Sequence, residues 1–286
     1  MRMDRIRIYI LLICCLIYTD LCQAIKYALV VGIGDYPVEN GWKPINGDND
    51  IPLVRDILYT NGFSNINIHE LQNAEATASA IRQAFDQLIN SVQEGDIIYI
   101  HFSGHGQQVT DLNGDEEDGW DEAWIPFDAQ KTYFEGIYEG QNHILDDDIN
   151  KYLYQLRQSI GDAGKIIVVA DACHSGDGWR SEEQEALVIR GVADKFILPF
   201  EVQPYTNHEE YINWIYISAC KSYQSNYEYN GVGSLTYALH QQKEKLTEIT
   251  CEQLTTSIKS VLNKIIPYPQ SPMIETNAVI NKIPLL

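Results

Sequence analysis

Short apolar runs alternate along this chain with amphipathic segments, and several apolar runs end abruptly in small and polar residues. The apolar runs predict buried strands over residues 27–33, 96–102, 165–170 and 214–219, and edge strands are predicted over 65–71 and 273–276. The amphipathic segments predict helices from Asp48 or Asn49 to about residue 59, and over about 77–92, 146–157, 234–245 and 250–264. Strands that alternate with helices predict an α/β fold with a mostly parallel sheet and helices on both faces.

Two of the predicted strands end beside residues with catalytic chemistry. Cys173 lies two or three residues past the carboxyl end of the strand over 165–170, and His105 lies just past the end of the strand over 96–102. In open α/β sheets, ligands bind in the crevice at the carboxyl ends of the strands. A thiolate is a nucleophile that an adjacent histidine activates, so the sequence predicts a Cys173–His105 pair at this edge.

Each of these residues also has a simpler interpretation. A free cysteine is most often a buried apolar residue, but a cysteine in the core of a strand would not be followed by His174, Ser175 and Gly176. The glycines on either side of His105 keep the backbone open where a peptide must approach. Of the other histidines, His174 is expected to point away from the thiol, and His101 is expected to pack inside its strand.

The segments around these two residues carry a specific resemblance. Ser103-Gly104-His105-Gly106, the acidic loop that follows it, and Asp171-Ala172-Cys173-His174-Ser175-Gly176 resemble the motifs of the metacaspase branch of the caspase-like cysteine peptidases. The likeness extends to the ISAC segment at 217–220 and the GSLTYAL segment at 233–239, and so over almost the whole chain from residue 27. The caspase-type glutamine two places before the cysteine is replaced by Asp171, which favours the metacaspase-like branch.

The resemblance implies a three-layer caspase-like fold of about six strands, with a large part over about 25–178, a connecting segment over about 179–209 and a small part over about 210–286. It also implies a cysteine endopeptidase that uses a Cys-His dyad. In that mechanism, Cys173 attacks the scissile carbonyl and His105 protonates the leaving amine. The backbone N–H groups of Gly106 and Cys173 are the candidate donors to the oxyanion.

Specificity is predicted to come from acidic residues near the cysteine. Asp171 lies two residues before Cys173 and therefore on the same side of the strand, where its carboxylate would bind an arginine or a lysine of a substrate. The resemblance implies the same role for Asp171, with Ser103 lining the pocket and Asp50 as a weaker match to a family aspartate. The alternative is that Asp171 caps the following turn.

One position departs from the family pattern. After the ISAC segment the family usually places an acidic residue, whereas this chain has Lys221, followed by Ser222, Tyr223 and Gln224. We therefore expect a pocket that is less acidic than is typical of the family, or one that is lined by different residues.

Two acidic segments are candidates for a cation site. Residues 111–122 read DLNGDEEDGWDE, and Asp146-Asp147-Asp148 supplies a second group of carboxylates. Ca²⁺ takes about six to eight oxygen ligands, and the resemblance to Ca²⁺-activated metacaspases favours Asp121, Asp146 and Asp147 as ligands. The alternative is a solvated acidic surface beside a helix N-terminus. No organic cofactor is predicted.

Basic residues in the connecting segment are candidates for self-cleavage. Arg180, Arg190 and Lys195 follow Cys173 closely enough along the chain to reach the predicted site. Slow cleavage after one of them is expected in the wild-type chain, and none is expected once Cys173 is replaced by alanine.

Composition and charge narrow the range of partners. The chain has 286 residues and a formal net charge of −20 at pH 7, so it would repel nucleic acid and anionic lipid and attract cationic peptides or divalent metal ions. A peptide or protein is therefore the expected substrate, and a monomer is the expected state. Cys220 and Cys251 are expected to be buried, with a disulfide between them as the alternative.

The residue pattern at the N-terminus predicts that the protein is exported from the cytoplasm. Residues 1–24 carry three arginines within the first seven positions, continue with an apolar run of eleven residues and end at Ala24, which is the pattern of a cleaved secretory signal. The apolar run is too short for a membrane span, which needs about 20 residues. We therefore expect a secreted or periplasmic protein without a membrane span in the mature chain. The alternative is an N-terminal anchor that stays attached.

Two other functions compete with a peptidase. One is a caspase-like fold kept as a non-proteolytic interaction module, which would be expected to lack Cys173 or His105. The other is an acidic Ca²⁺-binding surface protein whose thiol is incidental. Selective reaction of Cys173 with iodoacetamide near neutral pH is expected only of a catalytic thiol.

Overall fold

The computed structural model describes residues 24–173, 187–206, 213–277 and 280–286. The predicted signal sequence, apart from Ala24, lies outside the described residues, as do His174 and Arg180. The strands are β1 (Lys26–Gly32), β2 (Ile68–Gln72), β3 (Ile97–Ser103), β4 (Gly106–Thr110), β5 (Trp120–Trp124), β6 (Ile144–Leu145), β7 (Lys165–Asp171), β8 (Ile215–Ser218), β9 (Glu228–Tyr229), β10 (Val232–Gly233) and β11 (Met273–Glu275). The α-helices are α1 (Ile51–Thr60), α2 (Ala78–Ser91), α3 (Asp146–Ile160), α4 (Ser234–His240) and α5 (Cys251–Ile265).

A six-stranded sheet forms the centre of the molecule, in the order β11-β8-β7-β3-β1-β2. Neighbouring strands are parallel except β11, which runs antiparallel to β8. β2 and β11 are the edge strands, as predicted for residues 65–71 and 273–276. β3 and β7 lie side by side, with Ser103 paired to Asp171 at their carboxyl ends. The register therefore sets the residues that follow both strands at the same place on the sheet edge.

Helices cover both faces of this sheet, because its central strands are apolar on both sides. Ile166 and Val168 of β7 belong to one core, together with α2 and α3. Ile167 and Val169 belong to a second core, together with α1, α4 and α5. The result is a three-layer α/β fold with a mostly parallel sheet, which confirms the predicted fold class.

Local sequence signals account for several helix ends. Thr77 caps α2 as predicted, because its hydroxyl oxygen accepts a hydrogen bond from the N–H of Ala80 at 3.2 Å. Thr250 caps α5 through a capping box with Gln253. α4 is shorter than predicted: it ends at His240, and a separate 3-10 helix follows at Lys243–Lys245. None of the helices within the described residues has both the length and the hydropathy that a membrane crossing requires.

The segment that follows His105 contains β structure, over residues 106–110 and 120–124. β4 and β5 form an antiparallel hairpin that joins β6 in a small three-stranded sheet. Val109 and Trp124 of this hairpin are buried in the core that holds α2 and α3. Gln107 and Gln108 are also buried, so polar residues interrupt the apolar alternation that would have indicated a strand.

Residues 187–206, the described part of the connecting segment, contact the small three-stranded sheet and the residues at the carboxyl edge of the central sheet. Ile189 forms an antiparallel bridge with Tyr227, and Phe196 forms a parallel bridge with Val109. The backbone N–H of Cys173 donates a hydrogen bond to the carbonyl oxygen of Arg190. Residues 187–191 therefore lie along the carboxyl edge of the central sheet.

Candidate active site

Cys173 and His105 occupy equivalent positions on neighbouring strands. β3 and β7 are parallel, Ser103 pairs with Asp171, and each candidate residue follows two positions later. Both side chains are buried, Cys173 completely and His105 with only 2% exposed. The structure thus brings the thiol and the imidazole to one edge of the sheet, where the strand ends predicted them.

Another part of the chain covers the thiol of Cys173. The backbone N–H of Cys173 donates a hydrogen bond of 2.7 Å to the carbonyl oxygen of Arg190, and the thiol donates one of 2.8 Å to the carbonyl oxygen of Gln224. A Cβ atom on Gly191 would lie 2.9 Å from the Cβ of Cys173, so the backbone approaches the cysteine as closely as only glycine permits. The Arg190–Gly191 peptide therefore lies directly against the candidate nucleophile.

A second thiol lies beside Cys173. The Sγ atoms of Cys173 and Cys220 are 3.6 Å apart, and both cysteines are free and buried, as is Cys251. The hydrogen bond with Cys173, together with burial, raises the pKa of the Cys220 thiol well above its usual value. Cys220 therefore stays protonated at neutral pH and serves as a hydrogen-bond donor to the sulfur of Cys173.

Main-chain and aromatic contacts hold the ring of His105. Its Nε2 lies 2.8 Å from the carbonyl oxygen of Lys43, and a carbonyl only accepts, so Nε2 carries the proton. Nδ1 is buried and has no hydrogen-bond partner among the described residues, so its lone pair is free. Tyr36 and Trp42 pack on the ring with centroid distances of 5.0 and 5.1 Å, and burial lowers the pKa of His105 to about 4. At neutral pH, His105 is therefore a neutral base with one defined tautomer.

Three buried carboxylates surround the side chain of Arg190, which is itself fully buried. Its Nη1 lies 2.5 Å from Oδ2 of Asp50 and 3.6 Å from Oδ1 of Asp171. Its Nε lies 3.1 Å from Oε1 of Glu228, and its Nη2 donates to the carbonyl oxygen of Asn46 at 3.1 Å. The two predicted substrate-binding aspartates thus form one acidic pocket with Glu228, and a basic residue of the same chain fills it.

The charges in this pocket depend on one another. Burial favours a raised pKa for Asp50, but the guanidinium of Arg190 outweighs it and holds that pKa below its usual value. Burial raises the pKa of Asp171, and the charge of Asp50 adds to this, against the opposing effect of Arg190. The surrounding carboxylates outweigh burial for Arg190 and raise its pKa. A cationic side chain therefore offsets part of the negative charge of the pocket, and its removal would be costly, since an unpaired buried charge is strongly destabilising.

A hydrogen-bond network holds the acidic side chains in place. Ser103 donates to Oδ2 of Asp50 at 2.7 Å, so its contact in this pocket is with the aspartate. The N–H and hydroxyl groups of Thr236 donate to Oδ2 of Asp171 at 2.7 and 2.6 Å. His101 Nε2 lies 3.0 Å from the hydroxyl oxygen of Ser103 and 3.1 Å from that of Thr236. His101 is fully buried, as predicted, and links the supports of the two aspartates.

The acidic residues of 111–122 and of α3 form two groups. One group is Asp111, Asp115 and Asp121, and the other is Glu116, Glu122 and Asp146, each with carboxylate oxygens within 4.8 Å of one another. Asp147 belongs to neither group within the part of the chain that the structure describes, and its Oδ2 accepts a hydrogen bond from Asn113 at 2.8 Å. Burial, with the charge of neighbouring carboxylates, raises the pKa of Asp121 to about 8, and burial raises that of Asp146 to about 7. Crowded carboxylates that repel one another fit a divalent cation.

The other basic candidates lie elsewhere. Lys195 places its Nζ 3.8 Å from the ring centroid of Trp120, and Arg180 is outside the described residues. Lys221, the position that departs from the family pattern, is exposed and lies 5.7 Å from the ring of Tyr223. The pocket around Arg190 instead contains Glu228, whose carboxylate lies 3.1 Å from Nε of Arg190.

Sequence reasoning missed two groups at this site, the carboxylate of Glu228 and the carbonyl oxygen of Lys43. Glu228 begins the two-residue strand β9, far along the chain from both motifs. The available signal was the lysine where the family has an acid, which implies a replacement from another position. A main-chain carbonyl has no sequence signature, so the contact between Lys43 and His105 was not predictable.

The six-stranded, mostly parallel sheet with helices on both faces is consistent with the three-layer fold of the caspase-like cysteine peptidases as a class. Comparison with models of protein families identifies the family within this class. The model of the family described as "Metacaspase, peptidase C14 domain" matches residues 26–179, more than half of the chain, and the chain belongs to this family.

Curated relatives carry the same family name. Metacaspase-1A of Aspergillus clavatus is 35% identical over 104 residues, which cover 36% of this chain and 21% of that protein. Metacaspase-1 of Candida albicans is 30% identical over 167 residues, which cover 54% of this chain and 34% of that protein. The chain thus spans about a fifth to a third of the length of these relatives.

A solved structure shares the fold. The crystal structure of protein GSU0716 from Geobacter sulfurreducens matches with a TM-score of 0.64 and 21% sequence identity, covering 92% of this chain and 99% of that chain. At this level of identity the likeness shows the fold alone.

Proposed function

We propose that this chain is a cysteine endopeptidase that hydrolyses peptide bonds after a basic residue and cleaves itself after Arg190. The observation that carries the proposal is the position of Arg190, whose side chain fills the acidic pocket while its carbonyl oxygen accepts a hydrogen bond from the N–H of Cys173. The N–H of Arg190 donates to the carbonyl oxygen of Asn226 at 3.0 Å, and the N–H of Glu228 donates to that of Val188 at 2.9 Å. Residues 188–190 are therefore bonded through the main chain to residues 226–228, as a peptide bound by strand addition is.

The proposed chemistry is acyl transfer through a thioester. The sulfur of Cys173 attacks the carbonyl carbon of the basic residue, and the thiol proton passes to Nδ1 of His105. The C–S bond forms, the C–N bond breaks, and the imidazolium gives its proton to the leaving amine. Water then hydrolyses the thioester and restores the thiol. The contact between Nε2 and Lys43 supports this role, because it keeps the proton on the ring nitrogen that does not react.

The negative charge that develops on the attacked carbonyl oxygen needs hydrogen-bond donors that are already in place. We propose the N–H of Cys173 as one donor, supported by its 2.7 Å hydrogen bond to the carbonyl oxygen of Arg190. The N–H of Gly106, the first residue of β4, is the proposed second donor.

Ca²⁺ is proposed as an activator. When bound, it would supply positive charge to the carboxylates of 111–122 and of α3, with Asp121 and Asp146 as ligands and Asp147 adding charge nearby. The two groups of acidic residues support this proposal. Asp146 also lines a cavity of about 580 Å³ whose lining includes Ala172 and Cys220, so a cation at Asp146 would border the cavity that reaches the residues beside the candidate nucleophile.

Export is a further proposal, supported by the basic, apolar and small-residue pattern of residues 1–24. Purification from the medium or periplasm of the native host, followed by N-terminal sequencing, is expected to give a chain that begins at Ile25. A cell-associated protein that retains residues 1–24 would contradict it. Gel filtration of the same material tests the expected monomer.

The test of peptidase function is a panel of fluorogenic peptides with arginine, lysine or aspartate before the scissile bond. Peptides with a basic residue are expected to be hydrolysed and the aspartate peptide is not. Cys173→Ala and His105→Gln are expected to lower kcat/KM by about 10³-fold or more, whereas the matched control Cys251→Ala, which changes a buried thiol in α5, leaves it unchanged. Activity that survives in Cys173→Ala would overturn the proposal.

A further inference from the structure

Each of the three nitrogen atoms of the Arg190 guanidinium donates a hydrogen bond to a carboxylate. Asp50 takes the end of the group, with Oδ2 at 2.5 Å from Nη1 and Oδ1 at 3.2 Å from Nη2. Glu228 takes the side of the group, with Oε1 at 3.1 Å from Nε. This pattern matches the planar fork of donors that arginine has and lysine lacks.

Glu228 is fixed in this position by its surroundings. Its Oε1 accepts a hydrogen bond from the backbone N–H of Asn46 at 2.7 Å, and its Oε2 accepts one from the side chain of Asn46 at 2.5 Å. Its own N–H donates to the carbonyl oxygen of Val188, and the residue is only 3% exposed. Asn46, which lies outside the segment that carries Arg190, therefore holds the carboxylate of Glu228 in the orientation in which it meets Nε.

The other two carboxylates contribute differently. Asp50 binds the terminal nitrogens, and Asp171 lies 3.6 Å from Nη1 while it accepts shorter hydrogen bonds from Thr236 and Asn226. These two aspartates attract any cation at the bottom of the pocket. Glu228 alone among the three faces Nε, a donor with no counterpart in a lysine side chain.

We infer that Glu228 is a specificity-determining residue that makes the pocket select arginine over lysine before the scissile bond; this inference rests on the proposed peptidase function. A lysine places one ammonium group near the aspartates and leaves the buried carboxylate of Glu228 without a cationic partner. A site built to bond a substrate group discriminates strongly against an analogue that lacks it, because its own buried polar group is then left unpaired.

The experiment compares two peptides that differ only in arginine or lysine before the scissile bond, hydrolysed by the self-processed protein. The wild type is expected to prefer arginine by about 100-fold in kcat/KM. Glu228→Gln is expected to lower kcat/KM for the arginine peptide by about 30-fold and that for the lysine peptide by about threefold or less, so the preference falls about tenfold. Glu70→Gln is the matched control, because Glu70 pairs with Arg55 and lies in β2 at the far edge of the sheet.

A second measurement uses the bond within the chain and does not depend on added peptides. Arg190→Lys is expected to slow self-cleavage by about 100-fold, and adding Glu228→Gln to Arg190→Lys is expected to slow it little further. If the role of Glu228 were purely structural, Glu228→Gln would lower kcat/KM for both peptides by the same factor. It would also slow self-cleavage by the same factor whether residue 190 is arginine or lysine. An equal reduction of these rates, or equal hydrolysis of both peptides by the wild type, would overturn the inference about Glu228 without contradicting the peptidase function. Absence of hydrolysis of both peptides overturns the function itself.

Discussion

The carbonyl oxygen of Arg190 lies 2.7 Å from the backbone nitrogen of Cys173 and accepts its hydrogen bond. In a peptidase of the proposed mechanism, this donor stabilises the oxyanion that forms when the thiol attacks. Under this proposal, the uncleaved chain holds its Arg190–Gly191 peptide bond in the position of a substrate. Because the reacting groups belong to one molecule, the rate of cleavage is expected to be independent of protein concentration.

We predict that the wild-type chain is cut between Arg190 and Gly191 and that Cys173→Ala stays intact. Intact mass and N-terminal sequencing of the fragments identify the bond, and a dilution series separates intramolecular from intermolecular cleavage. Lys195→Ala is the matched control and is expected to be cut at the wild-type rate, because Lys195 lies over the ring of Trp120. A fragment that begins after Lys195, or a rate that rises with protein concentration, would contradict the prediction.

Gly191→Ala is predicted to slow self-cleavage by about tenfold or more, since small displacements of reacting groups carry large rate penalties. The added Cβ would lie 2.4 Å from the carbonyl oxygen of Cys173 and 2.9 Å from its Cβ, so the Arg190 carbonyl must move away. Gel-band time courses measure this rate. Once its slower self-cleavage is complete, the same variant is expected to hydrolyse added peptides at the wild-type rate, because Gly191 belongs to the substrate side of the site. Self-cleavage at the wild-type rate would show that the close contact is unimportant.

Tyr36→Phe is predicted to lower kcat by about tenfold and to destabilise the fold by about 1–3 kcal/mol, the cost of unpaired buried groups. The Tyr36 hydroxyl accepts a hydrogen bond from the N–H of His105 and donates one to the carbonyl oxygen of Ile125, both at 3.0 Å. Peptide hydrolysis and denaturant unfolding measure the two effects. Tyr59→Phe is the control, because Tyr59 is 45% exposed, and equal behaviour of the two variants would argue against a role for Tyr36.

Saturating Ca²⁺ is predicted to raise the melting temperature by about 5 °C and to stimulate hydrolysis, and chelation is predicted to reverse both effects. Asp121→Asn is expected to remove at least about half of the thermal shift, because Asp121 shares its group with Asp111 and Asp115. Glu117→Gln is the matched control, since Glu117 is exposed and lies outside both groups. A thermal shift that is the same in both variants would rule Asp121 out as a ligand.

Stability is predicted to fall as the pH drops below about 6.5, in part through His143. Burial lowers the pKa of His143 to about 3, whereas an unfolded histidine has a pKa of about 6.5. Between these values the unfolded chain binds the extra proton, so the contribution of His143 is fully present above pH 6.5 and is lost progressively below it.

The variant His143→Gln tests this by comparison of slopes. The free energy of unfolding of the wild type is expected to change more steeply between pH 4 and 6, by about 1.4 kcal/mol per pH unit, than that of the variant. Glutamine retains a donor for Gln107 and an acceptor for Tyr138, the two partners of His143. Parallel slopes from denaturant titrations at each pH would show that His143 does not titrate as described.

The central sheet was predictable because its strands are apolar runs that end in polar residues. The same signal placed Cys173 and His105 at one edge, since parallel strands share a carboxyl end. The β4–β5 hairpin was missed because Gln107 and Gln108 are polar and yet buried. Burial of polar groups depends on partners brought by tertiary packing, such as the carbonyl oxygen of Lys131 that accepts from Gln107.

The pocket was predictable only in part. Asp171 followed from its spacing to Cys173, and Asp50 followed from the family resemblance. The seating of Arg190 between Asp50 and Glu228 joins residues that are 140 and 38 positions away along the chain. Contacts of this kind are set by the folded backbone, so a single sequence carries no periodic pattern that reports them. The acidic ligands were predicted as one set, and the structure divides them between two groups.

Under the proposed function, the acidic pocket of Asp50, Asp171 and Glu228 receives both a substrate side chain and the chain's own residue 190, and this double use constrains how such proteins diverge. Any substitution of these three acids that admits a different substrate side chain also weakens the binding of Arg190. Self-cleavage after residue 190 is then lost. Proteins that evolve a different substrate preference are therefore expected to carry a matching substitution at residue 190. The residue at position 190 is therefore expected to match the residue after which the processed protein cuts its substrates.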